Sequence, residues 1–155
     1  YLDRSTMVFY DDPVFASFAT HATVVLLKMM LMGPITGFYR FSRKAFSNPE
    51  DCMGNKEEAK KSLRTDASVE RVRRCHQNDI ENILPFLGVG LLYALSGPDP
   101  WIALLHFRVF LASRIVHTIA YLAPLPQPTR AIAYLLGVLS TFSMAVAVMR
   151  LRIFV

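Results

Sequence analysis

The sequence has only two cysteines, Cys52 and Cys75, among its 155 residues. Two thiols are too few for a disulfide framework, and because they do not form a Cys-x-x-Cys pair we predict reduced thiols facing the cytosol. A His-Glu-x-x-His motif is also missing, which argues against a metal site. The sequence has neither a Gly-x-Ser-x-Gly motif nor a glycine-rich phosphate loop, which argues against a serine hydrolase and a nucleotide-binding enzyme.

Acidic residues are also fewer than basic ones. The chain has 12 Asp and Glu residues and 17 Lys and Arg residues, which gives a net charge of +5. A basic balance can indicate nucleic-acid binding, but here the aromatic residues lie in the apolar runs and do not alternate with Lys and Arg. We therefore expect no nucleic acid as a partner and favour anionic lipid headgroups or a small anionic ligand.

Hydrophobic residues are abundant and make up 53% of the chain, above the roughly 45–50% of soluble domains. Runs of about 20 apolar residues can cross a bilayer, so we predict an all-α membrane protein, a bundle of four transmembrane helices per subunit. The helices are expected over about 12–40, 67–95, 101–122 and 129–150, within one membrane domain of residues 1–155. Residues 1–12 show no cleavable signal pattern.

The basic residues are unevenly distributed between the two sides of this bundle. Ten Lys and Arg residues lie between positions 40 and 74, and none lies in the opposite connection at 96–100. The positive-inside rule then places the polar loop 41–66 in the cytosol and both termini in the lumen. Lys28 lies inside the first apolar run, where it is expected to snorkel or to pair with a carboxylate of a neighbouring helix.

Two of the predicted helices carry polar faces at membrane depth. Side chains three, four or seven residues apart lie on one face of a helix. The faces consist of Arg74, Asn78 and Glu81 on the second helix and Arg114, His117 and Tyr121 on the third. Ionisable groups at this depth are usually functional, although a hydrated helix end would also account for the first set. Many cations with one carboxylate favour a zwitterionic ligand that carries two carboxylates and one ammonium.

Several segments resemble the MAPEG superfamily of membrane-bound glutathione enzymes, and they match its microsomal glutathione transferase branch best. They are residues 44–52 (KAFSNPEDC), 69–88 (VERVRRCHQNDIENILPFLG), 91–100 (LLYALSGPDP), 106–108 (HFR) and 114–128 (RIVHTIAYLAPLPQP). The resemblance implies a homotrimer in the endoplasmic reticulum and mitochondrial outer membranes. It also implies a glutathione site between neighbouring subunits, open to the cytosol, with glutathione as the co-substrate.

The resemblance also implies roles for individual residues. Arg130 would be catalytic and stabilise the glutathione thiolate, because a free thiol of pKa about 8.5 is mostly protonated at neutral pH. Cys52 falls at the position of a regulatory thiol whose modification activates the enzyme. The residues expected to bind glutathione are Arg40, Arg73, Arg74, His76, Asn78, Glu81, Arg114, His117 and Tyr121.

The expected activity is transfer of glutathione to hydrophobic electrophiles dissolved in membrane lipid, with peroxidase activity on lipid hydroperoxides. One alternative is a glutathione-dependent prostaglandin E synthase, an isomerase of prostaglandin endoperoxide. Ala131 and Gln77 weaken it, because that relative carries a serine and an arginine at these positions. The other alternative is a non-catalytic lipid-binding scaffold, against which the retained polar residues argue.

Overall fold

The computed structural model describes residues 11–52 and 54–153, which form five α-helices and one 3₁₀ turn, Pro49–Asp51. The helices are α1 (Pro13–Arg43), α2 (Lys56–Ser62), α3 (Ala67–Leu95), α4 (Pro100–Leu122) and α5 (Thr129–Ile153). The predicted all-α class is confirmed for this part of the chain, where the only β-pairing is an isolated bridge between Phe46 and Leu63. The predicted absence of a signal pattern concerns residues 1–12, of which 1–10 lie outside the described residues.

Aspartate side chains begin three of the four long helices. Asp12 accepts hydrogen bonds from the backbone N–H groups of Val14 and Phe15, each at 2.8 Å. Asp66 and Asp99 cap α3 and α4 in the same way. Each carboxylate satisfies N–H groups that have no partner inside the helix. For Asp66, the bond from the Ser68 N–H lowers the pKa of the carboxyl below its ordinary value.

The four long helices run up and down, because only short connections, residues 96–99 and 123–128, separate α3 from α4 and α4 from α5. Three candidate membrane spans are found among the described residues: Pro13–Arg43, Pro100–Leu122 and Thr129–Arg150. Helix α3 is as long as these, but charged and amide side chains fill its first half. Its role as a fourth span therefore stays a prediction.

Aromatic rings fill the middle of the bundle. Phe18 of α1, Phe86 of α3, and Phe107 and Phe110 of α4 are all buried. The rings of Phe86 and Phe110 are stacked, with centroids 3.8 Å apart and an interplanar angle of 4°. These contacts fix the separation of α3 and α4, and thereby the positions of the polar side chains that precede Phe86 on α3.

Gly90 allows α1 and α3 to approach closely at this aromatic core. A Cβ atom at Gly90 would lie 2.7 Å from Cε2 of Phe18, whose ring is held against Phe86 and Phe107. We expect Gly90→Ala to destabilise the bundle by about 1–3 kcal/mol through overpacking, measured as a lower thermal midpoint in detergent. Gly88→Ala is the matched control, because nothing lies within 4 Å of its Cβ position, and an equal loss in both variants would contradict the explanation.

The segment between α1 and α3 folds back on the end of the bundle, which we call the loop end. The Arg64 guanidinium donates to the carbonyl of Arg43 at 2.9 Å, and the Phe46 N–H donates to the carbonyl of Ser62 at 2.9 Å. Met32, Val72 and Cys75 form a small buried cluster near this end, with Tyr39 and Tyr121 packed against it. The end of α1, the start of α3 and the end of α4 therefore meet here.

Candidate functional site

A groove of about 570 Å³ opens between α1 and α3 at the loop end. Gly33 and Gly37 form part of its α1 wall, and because neither has a side chain the groove stays open. The remaining lining is rich in charged and polar groups. Four of the predicted site residues lie here: Arg40, Arg73, Arg74 and His76.

The groove is positively charged. Three guanidinium groups line it, and Glu70 is the one carboxylate among its lining residues. Glu70 forms an ion pair with Arg73, whose Nη1 lies 2.8 Å from Oε1. Nε of Arg40 is buried without a hydrogen-bond partner. An excess of guanidinium groups with unused donors suits a ligand that carries carboxylates, since the two pair through parallel hydrogen bonds.

A second polar cluster lies between α3, α4 and α5. Nη1 of Arg114 donates to Oδ1 of Asn78 at 3.1 Å. Arg114 is fully buried, and its Nε and Nη2 have no hydrogen-bond partner. Nδ1 of the buried His117 is also without a partner. Burying such groups in an apolar interior without a hydrogen-bond partner is unfavourable. Their presence therefore indicates a site for a polar ligand or for water.

Arg130 extends this cluster onto α5. Its guanidinium carbon lies 4.9 Å from the centroid of the Tyr121 ring, a cation–π distance. The Tyr121 ring in turn lies 5.3 Å from the His117 ring. Nε of Arg130 is buried without a partner. A cation, a phenol and an imidazole are thus gathered where α4 ends and α5 begins, an arrangement that can stabilise an anion.

Glu81 lies apart from both sets of residues within one chain. It is exposed on α3, and its Oε1 accepts a hydrogen bond from Nε2 of Gln77 at 3.1 Å. It lines a separate hollow with Pro85 and Tyr134. The structure therefore brings together eight of the nine residues expected to bind glutathione, in two groups, and leaves Glu81 facing outward.

Cys52 also lies away from the two groups, on the segment that covers the loop end. It is partly exposed and directly follows the 3₁₀ turn. Its Sγ lies 3.6 Å from the carbonyl oxygen of Asn48. A thiol at this position is accessible to reagents without being next to the polar cluster, which fits a regulatory thiol better than a catalytic one.

Asp79 is a buried charged residue that sequence reasoning missed. Its Oδ2 forms an ion pair with Nζ of Lys28, which confirms the expected pairing of Lys28 with a carboxylate of another helix. The aspartate side chain is fully buried, and Oδ1 has no hydrogen-bond partner. Asp79 directly follows Asn78 on α3, so it lies off the polar face formed by Arg74, Asn78 and Glu81. From the sequence, only the expectation that Lys28 pairs with a carboxylate could have indicated a role for Asp79.

Residues 11–52 and 54–153 contain no cluster of three or more His, Cys, Asp or Glu side chains suited to a metal ion.

Comparison with known proteins confirms the resemblance seen in the sequence. Residues 18–150 match the model of the MAPEG family. The chain is 60% identical over 146 residues to microsomal glutathione S-transferase 1 of Homo sapiens, a match that covers 93% of this chain and 94% of the human protein. It is 56% identical over 146 residues to the Rattus norvegicus protein of that name, with the same coverage. It is also 41% identical over 139 residues to prostaglandin E synthase of Homo sapiens, covering 90% of each chain.

Proposed function

The chain belongs to the MAPEG family, and on that premise we propose that it is a membrane-bound glutathione transferase. It conjugates the glutathione thiolate to hydrophobic electrophiles and also reduces lipid hydroperoxides. Two relatives at 60% and 56% identity are named microsomal glutathione S-transferase 1. The observation that carries the proposal is the pairing of a cationic groove with a buried cluster of polar donors at the same end of the bundle.

Glutathione carries two carboxylates, one ammonium and a thiol, and the site offers a partner for each. Arg40, Arg73 and Arg74 in the groove would bind carboxylates through charge-assisted hydrogen bonds, with His76 beside them. Asn78 and Arg114 would hold the peptide backbone of the ligand. Glu81 would take the ammonium, and because it faces outward it would meet a ligand bound between neighbouring subunits of a homotrimer.

Arg130 would lower the pKa of the glutathione thiol. A cation next to sulfur in a partly dry site favours the thiolate, and each pKa unit corresponds to about 1.4 kcal/mol. His117 and Tyr121 lie beside Arg130 and would bind the same end of the ligand. The thiolate then attacks an electrophilic carbon and expels its leaving group. With a hydroperoxide the thiolate attacks the terminal oxygen, the O–O bond breaks and the lipid leaves as the alcohol. A second glutathione then converts the resulting sulfenic acid to the disulfide and water.

The proposed setting is the endoplasmic reticulum membrane, and the mitochondrial outer membrane as well. Helix α3 would be the fourth span. The loop end and the groove would lie in the cytosol, because the basic residues between 40 and 74 favour that side of the membrane. The polar faces need protection from lipid, which burial at the subunit interfaces of a homotrimer would provide. Electrophiles and hydroperoxides dissolved in the membrane would then reach the thiolate laterally.

The proposal is tested with the detergent-purified protein, glutathione and a simple aryl halide. A transferase forms the conjugate at a rate that saturates with glutathione. A second candidate, a prostaglandin E synthase, is favoured by the 41% identical relative of that name and would isomerise prostaglandin endoperoxide with little conjugation of the halide. Protein that fails to bind glutathione would refute both and leave a lipid-binding scaffold.

We also expect Cys52→Ser to abolish activation by thiol reagents while leaving basal conjugation unchanged. Cys52 is partly exposed, whereas Cys75 is fully buried and lies 3.8 Å from Oγ1 of Thr118. A reagent such as N-ethylmaleimide should therefore modify Cys52 first. The measurement is conjugation rate before and after treatment, with Cys75→Ser as the control that keeps its activation. Loss of basal turnover in folded Cys52→Ser protein would contradict a regulatory role.

A further inference from the structure

Three charged side chains from three helices lie inside the bundle, and one of them, Arg114, belongs to the polar cluster. They are Lys28 of α1, Asp79 of α3 and Arg114 of α4. Asp79 and Arg114 are fully buried, and the Lys28 side chain is 15% exposed. Nζ of Lys28 donates to Oδ2 of Asp79, and Nη1 of Arg114 donates to Oδ1 of Asn78, the residue directly before Asp79 on α3. With two cations and one anion, the group carries a net positive charge.

Burying these three charges is an energetically unfavourable way to hold helices together. A charge removed from water loses several kcal/mol of solvation, and apolar side chains of similar volume often stabilise a protein as well as a buried ion pair does. Asp79 also leaves Oδ1 without a hydrogen-bond partner, and Arg114 leaves Nε and Nη2 without one. Stability alone therefore does not account for these three residues.

The positions of Asn78 and Asp79 on α3 indicate a further role for these charged residues. Asn78 and Asp79 are consecutive on α3, so their side chains leave the helix about 100° apart. Arg114 donates to Oδ1 of Asn78 through Nη1. The Lys28–Asp79 ion pair thus links α3 to α1, and at the preceding residue the Asn78–Arg114 bond links α3 to α4. Lys28 in turn fixes the carboxylate from α1.

We propose that Asp79, held by Lys28, is a positioning residue that orients Arg114 and Asn78 for glutathione binding. This inference rests on the proposed function and adds two residues to it. Neither Lys28 nor Asp79 touches the ligand. Their effect is to hold Asn78, and through its bond the Arg114 guanidinium, in one orientation inside an apolar bundle.

The test compares the Lys28→Met/Asp79→Leu double variant with the unaltered protein. Removing both charges together avoids an uncompensated ion, so the double variant is expected to fold, with a thermal midpoint within a few degrees of the unaltered protein. The Kd for glutathione should rise at least about 10-fold, as expected when a charge-assisted hydrogen bond to the ligand is misplaced. The kcat at saturating glutathione should change by no more than about 3-fold, because Arg130 is untouched.

Two controls separate positioning from general damage. Lys28→Arg keeps a cation on Asp79 and should keep the Kd within about 2-fold. Ser143→Ala removes another polar contact between helices, the 2.9 Å bond between Oγ of Ser143 and Nε2 of His106, and should leave the Kd unchanged. If the double variant does not fold, the nearly isosteric Asp79→Asn takes its place with the same expected rise in Kd. An unchanged Kd in a folded double variant or in Asp79→Asn would overturn the proposal.

A second measurement distinguishes failure of this inference from failure of the proposed function. Unaltered protein that does not bind glutathione refutes the function. The link between Asp79 and Arg114 is then decided by the thermal midpoints of Asp79→Asn, Arg114→Gln and the variant with both changes. Non-additive shifts support the link, and additive shifts overturn it.

Discussion

Replacing Arg130 with alanine is expected to lower kcat for glutathione conjugation by about 10- to 100-fold, the effect of raising the thiol pKa by one or two units. The guanidinium carbon lies 4.9 Å from the centroid of the Tyr121 ring, and Nε has no partner. Among residues 11–52 and 54–153, removal of the side chain therefore withdraws the cation and its ring contact but breaks no hydrogen bond. The rate should recover as the pH rises toward the pKa of free glutathione, because a rising thiolate fraction replaces the missing cation.

Two controls accompany the Arg130 measurement. Arg130→Lys keeps the charge and should retain more activity than the alanine variant, although its ammonium lacks the planar donors of arginine. Arg150→Ala removes an exposed arginine from the opposite end of α5 and should have no effect. The measurement is the initial rate of aryl halide conjugation from pH 6 to about 9. An equal kcat in the alanine variant and the unaltered protein would refute the role of Arg130.

Arg40→Ala is expected to raise the KM for glutathione by about 10- to 100-fold with little change in kcat, since a charge-assisted hydrogen bond contributes about 1.5–3 kcal/mol. Arg40 lines the groove from α1, and its Nε is buried without a partner. It lies in the groove and not in the cluster around Arg130, so its loss should weaken binding and leave the thiol chemistry intact.

Arg43→Ala is the matched control for this prediction. Arg43 lies one turn further along α1, is exposed, and is not part of the groove lining. Only its backbone carbonyl takes part in the bond from Arg64, which the substitution preserves. Glutathione titrations of both variants would decide the matter, and a KM that rises equally in both would show a general effect of positive charge rather than a binding residue.

Much of the fold is readable from local sequence signals. Asp12 before Pro13 and Asp99 before Pro100 each combine a capping carboxylate with a proline in the first helical turn, which is why these helix starts can be predicted. The turn at 96–99 follows from Gly97 and Pro98. The spacing of Arg114, His117 and Tyr121 on one face of α4 also follows directly from the period of the helix.

Contacts between helices are harder to predict, because they depend on which faces meet. From the sequence, Lys28 was expected either to snorkel or to pair with a carboxylate of a neighbouring helix. Only the packing of α1 against α3 selects pairing with Asp79. Asp79 lies off the polar face of α3, so its spacing gave no indication of a role. The division of the predicted site into a groove and a buried cluster depends on the same packing. The outward position of Glu81 is explained by the proposed subunit interface. Such an interface cannot be predicted from local sequence signals.

The central claim is that this protein binds glutathione as a thiolate held by Arg130. The most direct test is the ultraviolet difference spectrum of the detergent-purified protein on addition of glutathione, followed by addition of an aryl halide. The account predicts a thiolate band at neutral pH that decays as the conjugate forms, is absent in Arg130→Ala and persists in Arg150→Ala. Bound glutathione without such a band, or an undiminished band in Arg130→Ala, would contradict it.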